Sequence, residues 1–161
     1  MKGCSRVTNY LIKQAEITRN GLLSDVDKLD TKLLDVKPEG FNNTIHWQIG
    51  HILTVSEQFL FGFPKQTQHI PKHYYDLFTN GTKPDDWSGD VPSVDTLTDQ
   101  LKDQLDRMKQ IPTEQFEQKL EKPLFGQDTF GGLAAFAVFH EANHIGQIHA
   151  MDFSAQVELK K

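Results

Sequence analysis

Apolar side chains recur at Val7, Tyr10, Leu11, Ala15, Ile17, Leu22, Val26 and Leu29, close to the helical period and uninterrupted by proline. This predicts a first helix from about Ser5 to Leu29. Gly21 falls inside it and, at about 1 kcal/mol against alanine, argues against one unbroken rod. After the turn Lys37-Pro38-Glu39-Gly40, Asn42 or Asn43 is placed to cap a second helix. It runs through Trp47, Ile49, Ile52, Val55, Phe59 and Leu60 and stops at Gly62-Phe63-Pro64. Ser93 caps a third, where Val94, Leu97, Leu101, Leu105 and Met108 form a narrow stripe among Asp, Lys and Gln, and Ile111-Pro112 stops it. A loop containing Pro123, Gly126 and Asp128 follows, and Thr129 caps a fourth helix from Phe130 to about Phe153.

Between the second and third helices, residues 65–92 carry Pro71, Asn80-Gly81, Pro84, Trp87-Ser88-Gly89 and Pro92. They read as a long connection with one short helix around His73 to Phe78, and a connection of this length crosses a bundle or shapes a site. No segment alternates convincingly with period two, so no strand is predicted. The pattern predicts an all-α chain: an antiparallel four-helix bundle with a long crossover between helices 2 and 3. At 161 residues, it suits one domain spanning 1–161.

The net charge of -5 and the lack of a basic stripe argue against a nucleic-acid partner, because duplex binding rests on many Lys and Arg contacts to phosphate. No window approaches the roughly 20 consecutive apolar residues of a membrane-spanning helix. Cys4 is the single cysteine and sits where no charged region is followed by a continuous apolar run, so neither a disulfide framework nor a signal peptide is expected. The expected location is the cytoplasm, with Cys4 an incidental residue. Eleven phenylalanines on amphipathic helices are expected to leave an apolar helix face for a homodimer to cover.

Chemistry concentrates in Phe139-His140-Glu141-Ala142-Asn143-His144-Ile145-Gly146-Gln147-Ile148. At about 100° per residue, Leu133, Phe136, Ala137, Ile148 and Met151 fall within about 60° of one direction, with His140 and His144 near its centre. Buried imidazoles must be hydrogen-bonded or coordinate something, and side chains at i and i+4 can converge on one ion. The string also matches H-E-x-x-H, in which Glu141 would be the general base of a zinc peptidase. The missing downstream third ligand and missing strands for a peptide substrate argue against that activity. Glu141 lies about 100° from His140 and could equally be solvated. A third ligand must come from elsewhere. In the second helix, the main apolar stripe points about 85° from His46 and about 135° from His51, a slight preference for His46. His69 and His73 are read as solvated crossover residues and His149 as a surface or rim residue.

The stretch Asn42-Asn43-Thr44-Ile45-His46-Trp47-Gln48-Ile49-Gly50-His51-Ile52-Leu53, followed much later by His140-Glu141-Ala142-Asn143-His144-Ile145-Gly146-Gln147-Ile148, resembles the DinB-like metal-binding four-helix bundles. That superfamily includes bacillithiol and mycothiol S-transferases. The resemblance covers most of the chain and implies a divalent metal ion, Zn or Ni, held by His51, His140 and His144. His51 then displaces His46 as the helix-2 ligand. Gln147, about one turn beyond His144 on the same face, could hydrogen-bond a ligand imidazole or the metal-bound water, or be a polar rim residue. Two functions follow from the resemblance. One is a metal-dependent thiol S-transferase that joins a low-molecular-weight thiol to an electrophile. The other is a non-catalytic metal- or ligand-binding module of a stress response.

Overall fold

The computed structural model describes residues 2–63 and 66–160, with side chains from residue 7 onward; the Cys4 side chain and Pro64 lie outside these. Five helices are present among them: α1 (Lys2–Val26), α2 (Ile45–Phe61), α3 (Tyr74–Phe78), α4 (Val94–Lys109) and α5 (Phe130–Glu158). Three short 3-10 turns and a small hairpin, β1 (Lys119–Leu124) with β2 (Gln127–Thr129), complete the chain. None of the helices is long and apolar enough to cross a membrane.

The helix starts follow local capping chemistry. Thr44, rather than Asn42 or Asn43, caps α2 by accepting from the Trp47 amide; Ser93 and Thr129 do the same for α4 and α5. Gly21 does not break α1, and α5 runs beyond Phe153 to Glu158. The expected loop before α5 is the hairpin, missed because Lys119-Leu120-Glu121-Lys122-Pro123-Leu124 carries too few apolar residues to show an alternation.

The bundle is all-α in its framework, with α2 packed on α5 and α4 while α1 packs on α5 and α4. Cross-links give the directions. Gln48 meets Gln147 while Phe59 meets Phe136, so α2 and α5 are antiparallel. Gln104 reaches Leu53 and Arg107 reaches Glu57, so α2 and α4 are parallel, as the long crossover through α3 requires.

Buried ions tie the helices together. The Arg19 guanidinium of α1 donates to both Glu141 oxygens at 2.7 and 2.9 Å, to the Leu101 carbonyl and to Gln104 Oε1. Gln104 passes on to Glu57, which receives a two-pronged contact from Arg107. The first helix also overturns an expectation: its buried residues include Thr8, Ala15, Arg19 and Leu22, while Val7, Tyr10 and Ile17 point to solvent at 68, 64 and 55 % exposure.

Candidate metal centre

Trp47, Gln48 and His51 occupy one side of α2, and His140 and His144 lie one turn apart on α5. The antiparallel packing brings their rings together. His140 Nε2 lies 3.2 Å from His51 Nε2 and 3.1 Å from His144 Nε2. One nitrogen from each of the three lies within 4.8 Å of the others, a cluster that could hold a metal ion.

Each outer nitrogen decides what the inner one offers. His51 Nδ1 donates at 2.6 Å to the carbonyl of Phe78, a group left free at the C-terminal end of α3. Gly50 makes this approach available, because a Cβ there would collide with the Phe78 ring. His51 also stacks on Trp47, with ring centres 4.5 Å apart. His144 Nδ1 donates to Gln48 Oε1 at 2.5 Å, and the Gln48 amide is oriented by donating to Gln147 Oε1 at 3.1 Å. Nδ1 therefore carries the proton in both rings, leaving Nε2 as a lone pair aimed at the cluster. His140 Nδ1 is buried without a hydrogen-bond partner among the described residues.

Burial holds the rings neutral. It lowers the His51 pKa, against the opposing Phe78 hydrogen bond. Burial, with His51 nearby, takes His140 down to about 4; burial, with both other imidazoles nearby, takes His144 down to about 3. Neutral imidazole is the form a divalent cation needs. Two ligands at about 2.0–2.1 Å on a tetrahedral ion are separated by roughly 3.3–3.4 Å, close to the separations here. A set of three imidazole nitrogens fits a divalent transition-metal cation.

The other sequence candidates fall elsewhere. His46 is buried away from the cluster, its Nδ1 2.8 Å from Asp35 Oδ1 and its Nε2 2.8 Å from the Pro92 carbonyl oxygen. His69, His73 and His149 are exposed, and His149 Nε2 lies 2.8 Å from Asp25 Oδ2. Glu141 is neither solvated nor a general base at the cluster: it is buried and both oxygens are held by Arg19. Gln147 does assist an imidazole, at one remove through Gln48. Gln48 itself was missed, although it lies on the His51 side of α2, three positions earlier.

The cluster opens into a cavity of about 670 Å³ whose walls include Asn43, Gln58, Phe59, Asn80, Phe125 and Phe136. That volume lies in the range of small-molecule sites.

This fold and this histidine cluster define a helical bundle with a candidate metal centre. Residues 14–148 match the DinB superfamily, and the chain belongs to that family. A comparison with curated proteins gives no match.

Proposed function

We propose that the protein is a divalent-metal-dependent thiol S-transferase in which His51, His140 and His144 hold Zn or Ni. The observation that carries this reading is the convergence of three neutral imidazoles, two with their lone pairs aimed inward by Nδ1–H donors. When bound, the cation supplies Lewis acidity that ionises a low-molecular-weight thiol at neutral pH. Gln48 keeps His144 in one tautomer and Trp47 keeps the His51 ring in one plane, so neither imidazole reorganises when ligand arrives. The cavity leaves room beside the cluster for the electrophile.

Untagged protein is expected to purify with about one equivalent of Zn or Ni by elemental analysis and to accelerate thiol consumption by an electrophile. His140→Ala should lose both. Retention of full metal content and activity in that variant would overturn the reading. A non-catalytic binding module remains as a second reading, favoured by one observation: the carboxylate beside His140 is held by Arg19 and cannot serve the site as a base. Thermal stabilisation by metal without a further shift on adding thiol would favour it.

A further inference from the structure

The hairpin tip contributes a ring to the cavity at a conformational cost. Phe125 and Gly126 have φ of +50° and +76° between β1 and β2. This is the left-handed pair that a two-residue hairpin loop ordinarily fills with Asn, Asp or Gly, and a bulky residue there is an outlier. The Phe125 ring stacks on Phe136 with centres 5.1 Å apart and planes 8° apart, and lies 5.3 Å from Phe59. It nevertheless remains 63 % exposed. The wall beyond it is made of aromatic rings, amides and a hydroxyl, with no Asp, Glu, Lys or Arg among the described lining residues. Against that wall an anionic group would lose its hydration without gaining a cationic side chain as partner.

We infer that Phe125 determines specificity and that the cavity takes an uncharged molecule with a planar apolar body, which in the transferase reading, on which this rests, is the electrophile. The test uses metal-free protein and two fluorescent probes with the same ring system: neutral N-phenyl-1-naphthylamine and its sulfonate, 8-anilino-1-naphthalenesulfonate. The neutral probe should bind at least tenfold more tightly than the sulfonate. Phe125→Ala should weaken it at least fivefold. Phe125→Asn should weaken it equally while the melting temperature holds or rises, since asparagine suits the turn. Equal binding of both probes, no binding of the neutral one, or indifference to both substitutions would overturn the inference. Because no metal is present, such a failure leaves the metal reading untouched, and loss of the metal reading leaves this result standing.

Discussion

Arg19→Ala should cost about 3–5 kcal/mol of stability, because it leaves the Glu141 carboxylate buried without its partner. Both side chains are almost fully enclosed, at 5 and 7 % accessibility. The same substitution removes donors from Gln104 Oε1 and the Leu101 carbonyl. Urea unfolding would measure the loss, and a change under about 1 kcal/mol would place the pair among ordinary surface contacts. Arg19→Met with Glu141→Leu should recover part of it, since neither charge is then left alone. Recovery stays incomplete while Gln104 Oε1 and the Leu101 carbonyl lack those donors. Glu141→Gln should weaken the fold without changing metal affinity, which separates this carboxylate from the role that H-E-x-x-H assigns to it.

The misplacement of Glu141 shows where helical periodicity stops being informative. A 100° offset reads as a flank when a helix buries one face. Here α5 is enclosed by α1 on one side and α2 on the other, and the flank facing α1 holds the carboxylate. His140 and His144 were legible because they lie at the centre of the apolar sector between Leu133 and Met151. His51 was not separable from His46 in the same way. Fifteen residues of the 17-residue α2 are buried, so no direction around that helix is distinguished, and only the family pattern selects the ring that lies in the cluster. The outward stripe of α1 misled for the opposite reason. Val7, Tyr10 and Ile17 keep a core-like spacing but face away from a core side built on Thr8, Ala15, Arg19 and Leu22.

Acid should destabilise the metal-free protein well before ordinary carboxylates titrate. In the unfolded chain each histidine protonates near 6.5, whereas in the fold burial takes His140 to about 4 and His144 to about 3 and lowers His51. Between those limits the unfolded state binds more protons at these positions, so stability rises with pH. The contribution is intact above about pH 6.5 and is lost as pH falls toward 3. Each extra proton adds about 1.4 kcal/mol per pH unit to the slope. Urea midpoints from pH 7 to pH 4.5 should therefore fall steeply in the parent protein and less steeply in His140→Gln/His144→Gln. Parallel profiles would show that these imidazoles are solvated rather than enclosed. Saturating zinc should move the acid limb of the parent to lower pH, since an ion bound to the native state competes with the same protons. The double variant should show no such displacement.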